Sequence, residues 1–342
     1  MTPVLLPGRY FVSTTLLKKT LMGSLLAATV VTGSGATASA AGPTAAFHRA
    51  PVSNPRVTTH FSLSAGDLPE NLVLEPNGSI DVTLAISRQV ARIAPDGTKQ
   101  VLGTLPLAAD GGINTPVVGF PLPTGLARAA DGTLYIGYAG GSDTVTGLWL
   151  LRPGGQPQRI SALPGTSVPN GIGLDEKSGS VYITDSTKGV IWRAPMAGGT
   201  ATVWAEGPAL ERSTFLGANG LKVHGGAVWA SNLDAGTIVR FPITHNGRAA
   251  RVETRVRNLA NVDDFAFTGR GDQLLAAQNG SSQLALVQPD GTSETVLTAA
   301  DGLSNATAVA VRGSTIFVTS ASFSLQKDPN LLTAHLNRIR LG

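Results

Sequence analysis

Six positions of this 342-residue chain carry a side-chain oxygen in the same sequence context. Each stands just before an apolar-x-apolar run, which a polar turn and a second apolar strand follow. These six residues, called the lead positions below, are Glu70, Thr124, Asn170, Asn219, Asp263 and Thr307. Carboxylate and amide oxygens are hard ligands of the kind that Ca²⁺ prefers. Four lead residues therefore form a candidate metal site, provided that the fold brings them together: Glu70, Asn170, Asn219 and Asp263.

The elements that would position these residues are short strands in a repeated unit. Lead positions follow one another at intervals of 54, 46, 49, 44 and 44 residues, a period typical of β-propellers. Residues 169–193 are the clearest copy and read as three strands joined by polar turns. A high content of glycine (41) and proline (21) also favours short strands. We predict an all-β fold, a six-bladed β-propeller with four-stranded antiparallel blades.

Closure of the ring is expected to use the two ends of the propeller domain, residues 56–342. The sixth copy lacks a fourth strand, and its third strand is predicted at residues 336–341. Residues 56–63 would supply the missing strand and remove two exposed edges. Longer inserts fall at 106–122, 207–217 and 321–334. The first two run into lead positions and are expected to shape a pocket at the channel mouth.

The N-terminal region, residues 1–40, predicts a secretory signal peptide. Lys18 and Lys19 precede an apolar run at 21–31, and small residues follow up to the cleavage pattern Ala38-Ser39-Ala40. An uncleaved anchor is the alternative, and the true start of translation stays open. Residues 41–55, rich in alanine and proline, would form a flexible lead. The protein is thus expected to be secreted, extracellular or periplasmic.

Charge excludes some partners. Without Arg9, Lys18 and Lys19, the 26 basic residues nearly balance the 22 acidic ones. Such a balance predicts no nucleic-acid partner and no stable membrane association after signal removal. The chain has no cysteine, so its stability must come from packing rather than disulfides.

The candidate metal ligands also have a simpler interpretation. Asn-Gly and Asp-x pairs favour the bends before strands, so Asn170 or Asn219 alone would be read as an ordinary turn residue. Four oxygen-bearing ligands in six equivalent slots favour a metal cluster instead, with Asp264 as a possible fifth contributor. Without a cation, Glu70 and Asp263 would repel in a narrow channel, and one of them would take up a proton.

The motifs resemble a known group of six-bladed, calcium-dependent propellers, gluconolactonase and regucalcin, with paraoxonase and strictosidine synthase as more distant relatives. Residues 60–342 carry the resemblance, most clearly at 169–172, 181–185, 218–221 and 262–264. It implies Ca²⁺, or another divalent cation, at the channel mouth. The ligands it implies are Glu70, Asn170, Asn219 and Asp263, with Asp264 possible. Thr124 departs from the pattern, because related enzymes carry an asparagine or a catalytic histidine there.

These observations predict an exported, calcium-dependent hydrolase that acts on a small-molecule lactone or ester. Asp263 or Asp264 would accept the proton, and Thr124 and Thr307 would contact the substrate. The alternative is a non-catalytic propeller that binds a ligand or protein and keeps the ion for rigidity, which the threonine at 124 favours. A lyase or condensing enzyme on the same scaffold is a third possibility. The sequence has no Gly-x-Ser-x-Gly motif, and its five histidines are expected to be structural or exposed.

Overall fold

The computed structural model describes residues 50–337. The predicted signal peptide and residues 41–49 of the predicted flexible lead lie outside the described residues. Within 50–337 the strands form six four-stranded antiparallel sheets, which confirms the predicted all-β, six-bladed propeller. The one helical element in that range is the 3₁₀ turn Ala299–Asp301. No helix in the described part of the chain has the length and apolar character needed to cross a bilayer.

The strands are numbered in chain order. The first five are β1 (Val52–His60), β2 (Pro69–Leu74), β3 (Ile80–Leu84), β4 (Gln89–Ile93) and β5 (Lys99–Thr104). Blade 2 contains β6 (Leu122–Arg128), β7 (Leu134–Ala139), β8 (Gly147–Leu151) and β9 (Gln158–Ala162). Blade 3 contains β10 (Pro169–Asp175), β11 (Ser180–Asp185), β12 (Val190–Pro195) and β13 (Thr202–Glu206).

The second half of the ring follows the same plan. Blade 4 contains β14 (Ala218–His224), β15 (Ala227–Asn232), β16 (Thr237–Pro242) and β17 (Glu253–Val256). Blade 5 contains β18 (Val262–Phe267), β19 (Leu274–Gln278), β20 (Gln283–Val287) and β21 (Ser293–Leu297). Blade 6 contains β22 (Ala306–Arg312), β23 (Thr315–Ser320) and β24 (Asn330–Leu336). Blade 1 is formed by β2–β5, and the first strand of each blade is its innermost one.

The apolar core lies between neighbouring blades. Strand β7, with the sequence LYIGYA, is buried along its whole length because both of its faces meet other sheets. The outer strand β9, with the sequence QRISA, is exposed at both ends. Blades 1 and 2 share one cluster, in which Val90 and Leu105 pack with Ile136. Burying such a side chain stabilises the fold by about 1.5–3 kcal/mol, so each interface between blades contributes substantially.

Strand β1 closes the ring by pairing antiparallel with β24, which confirms the predicted closure. It begins at Val52 rather than at the predicted residue 56. The predicted third strand of blade 6, residues 336–341, was wrong, since that strand is β24 and ends at Leu336. The reason is burial: Leu331 and Leu332 fill the blade interface, and Asn330 enters it because its amide donates to the Gly302 carbonyl at 2.9 Å. The preceding insert is therefore shorter than predicted.

Every innermost strand changes register at its lead position. In blade 1 the shift lies between Pro69 and Asn71, and in blade 3 between Pro169 and Ile172. The other four blades have the same irregularity. A bulge interrupts the ladder and re-aims the side chain that it contains. The repeat thus turns six equivalent side chains out of the regular sheet pattern.

Hydroxyl groups of the preceding blade satisfy backbone carbonyls at these bulges. Thr83 donates to the Thr124 carbonyl at 2.7 Å, and Ser231 donates to the Asp263 carbonyl at 2.6 Å. Thr184 donates in the same way to the carbonyl of Asn219. Because a buried carbonyl without a partner is costly, these bonds fix neighbouring innermost strands at a set spacing.

We predict that the closing strand is needed for stability. A chain that starts at Phe61 lacks β1, exposes the edge of β24 and loses the buried Val52 side chain. Compared with a chain that starts at Ala50, its free energy of unfolding should fall by about 3 kcal/mol or more. Thermal unfolding and size-exclusion chromatography should show a lower Tm and self-association through the open edge. Equal Tm values for the two chains would contradict the role given to β1.

Candidate cation site at the channel mouth

Three buried acidic side chains meet where innermost strands β2 and β18 begin: Glu70, Asp263 and Asp264. Burial raises the pKa of Glu70 to about 8, and the neighbouring charge of Asp264 acts in the same direction. Burial also raises the pKa of Asp263 well above its ordinary value, and both Glu70 and Asp264 add to the effect. Glu70 and Asp263 thus lie close enough to acidic neighbours for their ionisation to be disfavoured, as the sequence predicted for this pair.

Two oxygens at lead positions are buried without a hydrogen-bond partner among residues 50–337: Glu70 Oε2 and Asn219 Oδ1. Buried polar atoms are normally paired, so unpaired acceptors need an explanation. Both atoms are oxygens, and both belong to residues predicted as metal ligands. A hard divalent cation would satisfy them and would neutralise the carboxylates beside them, so the donor set present fits such an ion.

Other contacts hold the predicted ligands in place. Asn279 donates from Nδ2 to Asp263 Oδ2 at 3.1 Å, which orients that carboxylate. Asn170 donates from Nδ2 to Ser186 Oγ at 3.1 Å. Ser186 in turn donates to the Ala218 carbonyl at 2.7 Å, directly before Asn219. This chain of bonds ties the start of blade 3 to the start of blade 4.

Lys222 is the residue at this site that the sequence analysis missed. Its Nζ donates to both oxygens of Asp264, at 2.7 and 2.8 Å. The Asn71 amide lies 3.5 Å from the same carboxylate. The signal was present in the sequence, because Lys222 stands three residues after its lead position, where the other five copies carry small apolar residues: Val73, Ala127, Gly173, Ala266 and Ala310.

Glycines allow the innermost strands to approach one another around this site. A Cβ atom added to Gly220 would lie 2.4 Å from Asp264 Oδ1. One added to Gly171 would lie 2.2 Å from the Leu221 nitrogen. Both distances are too short for any side chain, so glycine is required where backbone and carboxylate come this close.

Thr124 and Thr307 each use their hydroxyl to bridge to another blade. Thr124 donates to the Pro169 carbonyl at 2.6 Å, and Thr307 donates to the Pro69 carbonyl at 2.8 Å. Both residues are almost fully buried. Their predicted contact with substrate stays a prediction, while the geometry gives each hydroxyl a structural partner.

At the opposite end of the innermost strands, the acidic side chains are paired with arginines. Glu75 accepts from Arg92 at 2.8 Å and from Arg128 at 2.9 Å, and Arg92 also binds the buried Asp81. Arg312 donates to the Glu75 carbonyl at 2.7 Å. These acidic groups all have arginine partners. The lead mouth, the end of the channel where the six lead positions lie, differs. Of its three carboxyl groups, only that of Asp264 pairs with an ammonium group among residues 50–337, that of Lys222.

The loops that enter the lead positions add an apolar border. Val118 and Phe120, in the insert before blade 2, pack against a cluster that contains Leu68, Leu122 and Val168. Each of these last three residues lies two positions before a lead residue. The insert therefore packs beside the lead positions, and its predicted role in shaping a pocket there stays a prediction.

None of the four histidines in the described range hydrogen-bonds to the acidic cluster. His60 pairs with Asp328 at 2.7 Å on the surface, and His224 lies 3.4 Å from Asp272 and stacks on Phe267. Nor do residues 50–337 contain a group of three or more His, Cys, Asp or Glu side chains arranged to hold a metal ion. The candidate set is of another kind, two carboxylates with two amides, since Asp264 is turned to Lys222.

Comparisons with known proteins agree with the fold. No family model and no curated protein sequence matches the chain. Among solved structures, a gluconolactonase from Xanthomonas campestris is similar at 16% identity and a TM-score of 0.59, covering 84% of this chain and 96% of its own. Regucalcin, a calcium-binding protein from Agrobacterium tumefaciens, is similar at 16% identity and 0.58, covering 80% and 92%.

A third similar structure is an inactive virginiamycin B lyase variant from Staphylococcus aureus, at 16% identity and a TM-score of 0.56, covering 80% of this chain and 82% of that one. At such low identity, the likeness shows a shared propeller fold. The structural neighbours thus include gluconolactonase and regucalcin propellers, the group that the sequence motifs resemble, and they include enzymes.

The pKa of Glu70 predicts a stability that depends on pH. In the cation-free protein this carboxyl is neutral below about pH 8, whereas in the unfolded chain it ionises near 4.5. Its contribution to stability is therefore fully present below pH 4.5 and is lost as the pH rises through about 8. With EDTA present, the Tm should fall as the pH rises across this window, and Glu70→Gln should flatten the decline.

The matched control is Glu294→Gln, which neutralises an exposed acid on outer strand β21. It should leave the pH profile of the Tm unchanged. A wild-type Tm that stays level or rises between pH 4.5 and about pH 8 would show that Glu70 is not held neutral by its surroundings.

Proposed function

We propose that the protein is an exported, calcium-dependent hydrolase of a lactone or ester, with its active site at the lead mouth of the channel. The observation that carries the proposal is that two lead positions, Glu70 and Asn219, each have a buried oxygen without a partner among residues 50–337, while Glu70 and Asp263 have raised pKa values. Neighbours described as a gluconolactonase and as a calcium-binding protein support the same chemistry.

The proposed ligands are the four lead residues with carboxylate or amide oxygens: Glu70, Asn170, Asn219 and Asp263. A divalent cation bound there would polarise an acyl carbonyl and stabilise the negative charge that develops on its oxygen. Calcium suits an all-oxygen set of mixed carboxylates and amides, and such sites also accept other hard divalent ions.

The chain's own residues would handle the proton. Hydrolysis adds water across the acyl C–O bond, so a base takes one proton and the leaving oxygen receives one. Between the two predicted bases, Asp263 suits this role better, because both oxygens of Asp264 accept from Lys222.

A second candidate function, a binding propeller with a structural ion, is favoured by a separate observation. Thr124, where related enzymes carry asparagine or histidine, gives its hydroxyl to the neighbouring blade. No histidine of the described residues reaches the acidic cluster to replace it. The same ion site would then brace the blades, while the lead-mouth loops would contact the ligand.

Two measurements on one set of variants separate the candidates. We expect Ca²⁺ to raise the Tm of the wild type, and we expect turnover of a panel of lactones and aryl esters. Asn219→Ala and Glu70→Gln should lose most of the calcium-dependent rise and at least about 100-fold in turnover, since both remove predicted ligands. The control Gln100→Ala removes an exposed amide on outer strand β5 and should change neither.

The outcomes lead to different conclusions. A calcium-dependent rise without turnover on any panel member favours the binding propeller. Turnover that survives EDTA and both ligand variants would remove the metal from the mechanism. If Ca²⁺ has no effect on the wild type and no turnover is seen, the proposed site is wrong. Export is tested separately, by fractionating cells that express the full chain.

A further inference from the structure

Among the described residues that line the channel, Lys222 is a charged residue at a position where the other blades carry apolar ones. The six residues that stand three positions after the leads all line a cavity of about 520 Å³ inside the ring of innermost strands. Five of them are small and apolar, and the sixth is a lysine. Its side chain is 29% exposed, while the Asp264 side chain that it binds is only 4% exposed.

The contacts of Lys222 all lead towards the acidic cluster. Its Nζ reaches from blade 4 to both carboxylate oxygens of Asp264 in blade 5, and it lies 5.7 Å from the centre of the Phe265 ring. Asp264 in turn lies close enough to Glu70 and Asp263 to influence their ionisation. One ammonium therefore stands between the cavity and the three carboxyl groups.

This geometry separates Asp264 from its neighbours. Glu70 has a buried oxygen free of hydrogen bonds to residues 50–337, whereas both oxygens of Asp264 accept from the same ammonium. An ammonium and a divalent cation compete for a carboxylate, because each satisfies the same charge and the same lone pairs. The two cations would also repel each other in a poorly screened interior.

We infer that Lys222 is a tethered counter-ion of the candidate site, which keeps Asp264 out of the set of side chains that bind the cation and thereby weakens cation binding. The inference rests on the proposed cation site. It assigns Lys222 a positioning role and makes this lysine the residue that sets how much calcium the protein needs.

A simpler role exists for the same ion pair, a strut between blades 4 and 5. Both roles predict that removing Lys222 costs stability in EDTA, because a carboxylate is left buried without its partner. Only the counter-ion role predicts a gain in cation affinity. The decisive readout is therefore the Kd for Ca²⁺, measured by isothermal titration calorimetry on EDTA-treated protein.

Four proteins form the test: the wild type, Lys222→Met, Asp264→Asn and the double variant. Lys222→Met should bind Ca²⁺ at least about tenfold more tightly, since a further carboxylate becomes free and a repelling charge is gone. Asp264→Asn should bind more weakly than the wild type, because the ammonium is left unpaired beside the ion. The double variant should return to within about threefold of the wild type, as neither charge remains.

Two controls keep the result specific. Lys222→Arg retains the charge and should bind Ca²⁺ as the wild type does. Arg128→Met removes another cation of the channel, one whose carboxylate partner is Glu75, and should leave the Kd unchanged. If Lys222→Met does not fold, the double variant decides, since it must bind more tightly than Asp264→Asn; equal values overturn the inference.

The outcomes also distinguish this inference from the proposed function. A wild type that binds Ca²⁺, with a Lys222→Met variant that binds no more tightly, overturns the inference and leaves the hydrolase intact. A wild type that does not bind, with a Lys222→Met variant that does, supports the inference and removes calcium from the native function. If neither binds at millimolar Ca²⁺, both proposals fail.

Discussion

Negative charge held away from water is the constraint on which the candidate site depends. Glu70, Asp263 and Asp264 are buried together where the innermost strands begin. An ionised carboxylate in such a place costs several kcal/mol unless a cation, a proton or hydrogen bonds offset the loss of solvent. Glu70 keeps a proton because its pKa is raised, Asp263 accepts a hydrogen bond from the Asn279 amide, and Asp264 pairs with the Lys222 ammonium. A bound cation would satisfy the buried oxygens that these groups leave without a partner.

The scaffold produces this concentration of charge by repetition. Each blade places a bulge at the same point, so one side chain per blade leaves the regular pleat near the axis. Hydroxyls of the preceding blade bind the carbonyls at these bulges, and glycines such as Gly220 let backbone and carboxylate approach closely. Thr124 and Thr307 show the cost of this arrangement, because a hydroxyl that bridges blades is no longer free to meet a substrate.

Shared architecture places the protein among propellers but leaves its chemistry to the site. The neighbours include a gluconolactonase, a calcium-binding protein and a lyase, all at 16% identity. A ring of blades supports many activities, since the groups at the channel mouth can change while the ring stays the same. The function proposed here therefore rests on four oxygen-bearing lead residues. Lys222 adds a positive charge beside them, where it pairs with Asp264.

The sequence by itself determined the number of blades, the position of most strands and the identity of the lead residues. These features are local or periodic, and they are readable from alternation, turn residues and a repeat of 44–54 residues. The third strand of blade 6 differs from its predicted position, because burial between blades, and not the local pattern, selects Leu331 and Leu332. Only the tertiary structure decided that Lys222 pairs with Asp264 and that Thr124 bridges blades. Those contacts join residues 42 and 45 positions apart in the chain. The spacing of residues along one strand does not show which side chain of a neighbouring blade each of them will reach.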